Sequence, residues 1–170
     1  VLSDVMLCLT HKNTDKPMDT VAITSPFKDR SLDEVTGAVI GASIRIHKDL
    51  GSGLLESVYE AVLTRMLEKR GFAVSRQQPI PINYCGMHFD HGFRADLVVD
   101  ARVIVEIKSV EKVAEIHSRQ LLTYLRLASL PVGLLVNFGA ATLIQGVHRI
   151  VNDLNPLESR GIAINRRGIQ

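Results

Sequence analysis

The stretch from Phe93 to Lys108, FRADLVVDARVIVEIK, constrains the fold of this chain more than any other. Its apolar, β-branched character reads as two β-strands joined by a tight turn. Asp96 lies on the first strand, and Glu106 and Lys108 lie on the second. Alternate residues of a strand share a face, so Glu106 and Lys108 point the same way. A three-residue loop of Asp100, Ala101 and Arg102 pairs Val99 with Val103, and therefore Asp96 with Glu106. A two-residue loop would shift the register by one and send the acids to opposite faces. With the odd loop, two carboxylates and an ammonium gather among valines and isoleucines. At about 5 Å and an effective dielectric near 20, two carboxylates repel by roughly 3 kcal/mol. A lysine offsets part of that, and a divalent cation offsets it far better. The plain alternative is a hairpin with exposed charges at alternate positions.

The length of 170 residues suits one domain with a real core. Hydrophobic residues make up 46% and charged residues 22%, an ordinary globular composition. A net charge of +2 neither requires nor excludes a nucleic-acid partner, since a local basic strip can hold phosphates. Cys8 and Cys85 stand far apart and in no metal-ligand spacing, which argues against disulfide and zinc frameworks and fits a reducing cytoplasm. The opening VLSDVMLCL is apolar but contains Asp4 and lacks a basic start, and no apolar run is long enough to span a bilayer. The chain reads as soluble and cytoplasmic.

Residues 1–30 read as a flexible polar extension; Met18 is a natural start, which would set residues 1–17 outside the native protein. Ser31 and Glu34 form a capping box that opens a helix reaching about Lys48, with Val35, Val39, Ala42 and Ile46 on its apolar face. A second helix is predicted from about Leu54 to Arg70, closed by Gly71, with Leu55, Val58, Val62 and Leu63 apolar. Glu56 and Glu60 lie beside that stripe, where acids usually begin a solvated face. Between Ala73 and Phe89 an alternating strand starts at or beyond Pro79 and Pro81, which place it at a sheet edge. After the Asp96/Glu106 hairpin, a third helix spans about Ala114 to Ser129. His117, Gln120, Leu121 and Tyr124 share one of its sides. Val132 to Phe138 reads as a strand covered on both faces, and a last strand as Thr142 to Ile150. Residues 31–155 form the domain, and residues 156–170 a tail.

Several segments resemble the GxxExxY protein family: Gly53-Leu54-Leu55-Glu56-Ser57-Val58-Tyr59 itself, IHKDLG, FRADLVV, VEIKSVEKV, RQLLTYL and LLVNFG, spread over Leu32 to Leu154. That family is similar to the PD-(D/E)xK nuclease-like superfamily. The resemblance implies an α/β fold with a mixed central sheet flanked by helices, restriction-endonuclease-like, with a helix-strand-strand-strand-helix-strand core. It also implies a set of functional residues. Glu56 takes the place of the first-helix acid, Asp96 that of the second-strand acid, and Glu106 and Lys108 those of the E-x-K. Gln120, with Tyr124 one turn on, takes the polar position of the following helix. Ala95 stands where the superfamily name implies Pro.

On this resemblance the expected function is a metal-dependent nuclease that hydrolyses phosphodiester bonds of DNA or RNA. Asp96, Glu106, the Ile107 carbonyl and Glu56 would hold Mg²⁺ or Mn²⁺, hard ions that favour oxygen. Lys108 would stabilise charge or orient water, and neighbouring acids favour its charged form. Gln120 would position water or substrate. The alternatives are a non-catalytic module that binds nucleic acid or protein on the same fold, and a homodimeric structural subunit. His47 reads as structural; His117 could reach the pocket, but most helical histidines near a core are simply hydrogen-bonded, and that reading comes first. Arg65, Lys69, Arg70 and Arg76 read as a phosphate strip or as solubilising charge.

Overall fold

A computed structural model describes residues 30–84 and 87–152. The expected extension, the tail and the Cys85-Gly86 turn lie outside the described residues. Helix α1 (Leu32–Leu50) starts at Ser31, whose hydroxyl accepts the Glu34 N–H at 3.2 Å while the Glu34 carboxylate accepts the Ser31 N–H at 2.6 Å. It ends at Gly51, where φ is 75°, a value glycine adopts without steric cost. Val35, Val39, Ala42 and Ile46 are buried along one face, as their spacing predicts.

Helix α2 (Glu56–Lys69) starts later than expected and, of the four expected apolar positions, buries Leu63 and packs Val62 against the core but leaves Leu55 and Val58 outside it. Leu55 is 74% exposed and Val58 39%, while Tyr59, Leu63 and Leu67 are fully buried. The stripe that packs is the i, i+4, i+8 series beginning at Tyr59. Glu60 and Thr64 go under with it, so the expectation that Glu60 begins a solvated face is corrected.

The sheet has the order β1-β2-β3-β4-β5, formed by β1 (Val74–Tyr84), β2 (Met87–Val99), β3 (Val103–Lys108), β4 (Val132–Asn137) and β5 (Val147–Val151). Only β3 and β4 run parallel, and the other neighbours are antiparallel. Helix α3 (Glu115–Ala128) supplies the crossover between that parallel pair. β1 holds the edge, as its prolines require, but it begins at Val74, before both of them, which corrects the expected start. The last expected strand is also corrected. Leu143–Gly146 forms a short helix, α4, and only from Val147 is the chain extended.

Helices α1 and α2 cover one face of the sheet, in a core with Leu97, Val99, Val103, Val105, Leu134 and Phe138. Helix α3 covers the other through Leu121 and Leu125, against Val98, Ile104 and Leu135. β4 is buried along its whole length, as expected of a near-continuous apolar run. Among the described residues no helix is long and apolar enough to cross a membrane.

Tyr59 links this core to the loop before α2. Its ring stacks on Phe138 with centroids 4.1 Å apart. Its hydroxyl donates to the Gly51 carbonyl at 2.8 Å and accepts the Leu54 N–H at 3.2 Å. Tyr59→Phe keeps the stack but leaves both loop groups without this partner. It should lower stability by about 1–3 kcal/mol in urea unfolding, with an unchanged slope.

Candidate active site

The β2–β3 turn has the odd length that the candidate site needs. Asp100 and Ala101 take φ of 50° and 54°, and the Arg102 N–H closes on the Val99 carbonyl at 3.0 Å. Asp100 is suited to such a turn because its carboxylate is bound on both sides: Oδ1 accepts the Ala73 N–H at 2.8 Å and Oδ2 accepts Arg30 at 3.1 Å. The pairs are Val99 with Val103, Val98 with Ile104 and Leu97 with Val105. One further step along the same register sets Asp96 opposite Glu106.

The ladder stops there, and a side chain takes over. The Asp96 Oδ2 accepts the Ile107 N–H at 2.8 Å, in place of a strand carbonyl. Lys108 bonds towards β4, its carbonyl accepting the Phe138 N–H at 2.7 Å. Alternate residues of a parallel strand bond to opposite sides, so the Ile107 carbonyl is turned, like its N–H, towards the gap beside β2.

In that gap the Lys108 ammonium donates to the Glu106 Oε1 at 2.7 Å, with side-chain exposures of 19% and 12%. The second oxygen, Glu106 Oε2, is buried and has no hydrogen-bond partner. Burial pushes both the Asp96 and Glu106 carboxyls above their ordinary range. For Asp96 the Ile107 N–H and Lys108 offset part of this, and the Glu60 charge adds to it. For Glu106 the Lys108 bond works downward and the Asp96 and Glu56 charges upward. Burial alone would lower Lys108, but its bond to Glu106 and the charges of Glu106, Glu56 and Asp96 outweigh it and raise it. The lysine is therefore held as a cation.

Glu56 approaches from the first turn of α2. It is exposed, and its Oε1 accepts the Ser109 N–H at 3.1 Å, just past β3. The Ser109 hydroxyl donates to the Leu54 carbonyl at 2.9 Å, so the α2 entry and the end of β3 hold each other. Asn137, buried at the end of β4, fixes the next residue: its Oδ1 accepts the Val110 N–H at 3.0 Å and its Nδ2 donates to the Val110 carbonyl at 2.8 Å. From the other face, α3 contributes Tyr124, which stacks on Phe93 with centroids 3.7 Å apart and feels the charges of Glu106, Lys108 and Asp96. Burial first, and then Glu106, raises its phenol. Gln120 is exposed and donates to the Tyr124 hydroxyl, so it joins the site through that ring.

Other residues settle differently. His47 is structural, its Nε2 lying 3.1 Å from the Ala140 carbonyl. The His117 Nδ1 is buried and has no hydrogen-bond partner. Arg76 belongs to no free strip: its Nε donates to the Glu60 Oε1 at 2.8 Å. Glu60 and Gln77 are the site neighbours that sequence reasoning missed. The only available signal for Glu60 was its place next to Tyr59, one turn after Glu56.

Among the described residues, no three His, Cys, Asp or Glu side chains converge as a cage for an ion. The Asp96 and Glu106 carboxyls, the latter with one oxygen that has no donor, and the Ile107 carbonyl turned towards the same gap are nevertheless oxygen groups of the kind a hard divalent ion takes. A family model described as the PD-(D/E)XK nuclease superfamily matches residues 33–150. The chain belongs to that superfamily. The model spans α1 through most of β5 and includes every candidate residue. Comparison with curated proteins and with solved structures found no match in either set. PD-(D/E)XK nucleases generally use divalent metal ions, and membership implies a nucleic-acid substrate.

The raised Asp96 carboxyl has a consequence for stability. A carboxyl that binds its proton more tightly folded than unfolded favours the folded state at low pH. That contribution is lost as pH rises through its folded range. Asp96→Asn cannot lose it. The melting temperature of the variant relative to wild type should therefore climb as pH rises from the ordinary aspartate range through the raised folded range of Asp96. A relative melting temperature that is flat or falling across that window would contradict the burial argument.

Proposed function

We propose that this domain is a metal-dependent nuclease of the GxxExxY branch, hydrolysing phosphodiester bonds of DNA or RNA with Mg²⁺ or Mn²⁺. The observation that supports it is the Glu106 Oε2, a buried carboxylate oxygen with no donor, beside a second raised carboxyl. A scaffold gains nothing from such an arrangement, because a buried carboxylate oxygen left without a donor costs stability that a hydrophobic residue would not.

In this reading Asp96, Glu106 and the Ile107 carbonyl hold the ion, and Glu56 binds directly, through water or at a second ion. The ion supplies charge neutralisation at the phosphate and a water acidic enough to deprotonate near neutral pH. Lys108, already a cation through its acid neighbours, would stabilise the negative charge that develops on a bound phosphate. It stays protonated at Nζ, so its part is electrostatic rather than that of a base. Gln120 and Tyr124 border the same gap from α3 and orient water or substrate.

One observation favours the second reading, a module that binds nucleic acid without cutting: among the described residues no third acid completes a cage. The two readings part in a Mg²⁺ and Mn²⁺ titration with single- and double-stranded DNA and RNA. The wild type should cut, and Lys108→Ala should cut about 10²-fold or more slowly with its fold intact. Equal cutting by Lys108→Ala or Asp96→Asn would end the hydrolytic mechanism. Binding without any cutting would leave the module.

A further inference from the structure

The β1–β2 ribbon turns over beside the site. On β1, Val74 packs into the α1–α2 core, while Ile80, of the same parity, packs against α3. On β2, Leu97 and Val99 belong to the first core, and Ala95 and Phe93 to the second. Yet the ladder keeps one register through the change, with Arg76 opposite Leu97 and Gln78 opposite Ala95. A regular strand cannot exchange its faces in this way. The exchange is made between those two pairs, where Gln77 holds a φ of 48°, uncommon for any residue but glycine and costly for a long side chain.

The conformation places the Gln77 amide between two acids. Its Nε2 donates to the Glu60 Oε2 at 2.7 Å and, in a longer contact, to the Asp96 Oδ1 at 3.4 Å. Both partners are carboxylate oxygens, so only the amino end of the amide can face them. Glu60 is 5% exposed and has both oxygens occupied, one by Arg76 at 2.8 Å and the other by Gln77. It is therefore a fixed post with its charge answered, and no free ligand. Asp96 in turn is held at Oδ2 by the Ile107 N–H and at Oδ1 by Gln77.

We infer that Gln77 is a positioning residue, a strained strand residue that ties Asp96 to the buried Glu60–Arg76 pair and so sets the direction in which the Asp96 carboxylate presents its oxygens. As a role in metal binding this rests on the nuclease reading above, but the tie itself does not. Groups that orient a ligand from behind commonly change metal affinity by about 10–100-fold when removed.

The test is Gln77→Gly, which removes the amide and also relieves the left-handed backbone. Two quantities are measured on the full chain: hydrogen exchange of the Ile107 amide by NMR without metal, and Mn²⁺ affinity by calorimetry. With the fold intact by circular dichroism, Ile107 should exchange about tenfold faster, and Mn²⁺ should bind about 10-fold or more weakly. Gln77→Asn tolerates the same backbone but is one methylene too short to span both acids. It should shift both readouts the same way, and it decides the matter should the glycine variant not fold. An Ile107 amide that exchanges as in wild type overturns the tie. A residue that only supports the fold would lower the melting temperature and leave both readouts unmoved. If wild type neither binds Mn²⁺ nor cuts, the nuclease reading fails, while the Ile107 amide still decides the role of Gln77.

Discussion

Where β2 and β3 separate, the Ile107 N–H would lose its partner, and the Asp96 carboxylate supplies one. A buried main-chain donor left unpaired costs about 1–3 kcal/mol, so the acid completes the sheet as well as carrying charge. That double use explains why Asp96 can stay half-buried among apolar strands at all. It also explains the electrostatics: the group is needed where it is, and burial raises its carboxyl in return. Glu106 and Lys108 then answer each other one step away, leaving one oxygen over.

The segments that resemble the family turn out to be the parts that hold this opening in shape. Within the GxxExxY stretch, Gly53 takes a φ of 98°, Glu56 begins α2 and reaches Ser109, and Tyr59 clamps the loop from the core. The signature reads physically as a turn, an acid and an anchor. LLVNFG supplies the stacking Phe138 and the Asn137 bridge to Val110, and Gly139 sits where a Cβ would come within 2.3 Å of the Val110 carbonyl oxygen. β3, β4 and the α2 entry are thus locked together at one corner. The candidate side chains thus stand on a backbone tied at several points by side chains and close packing.

Much of this was legible. Hairpin alternation and the three-residue Asp100-Ala101-Arg102 turn set the register, and the E-x-K spacing followed from a period of two. The apolar run of β4 announced a covered strand. The inward face of helix α2 is only partly legible, because Leu55 and Val58 outweigh Tyr59 on hydrophobicity alone, although the tyrosine is what packs beside the expected Leu63. Glu60 was missed for the same reason. An acid is assigned to water unless its partners are known, and Arg76 and Gln77 come from a strand 16 and 17 residues away. The turnover of the ribbon at Gln77 left no periodic trace, since it interrupts the very alternation by which strands are recognised.

Local chemistry, then, was enough to determine the main helices and strands, their order and the residue types at the site, because each depends on spacing along the chain, whereas the short helix α4 and the choice of hairpin loop came from the fold. Which acid is buried and which is exposed, and what Gln77 touches, were decided only by the tertiary structure. Burial and charge pairing depend on neighbours that the chain brings from far away, and an ionisable group takes its character from those neighbours rather than from its own position in the sequence.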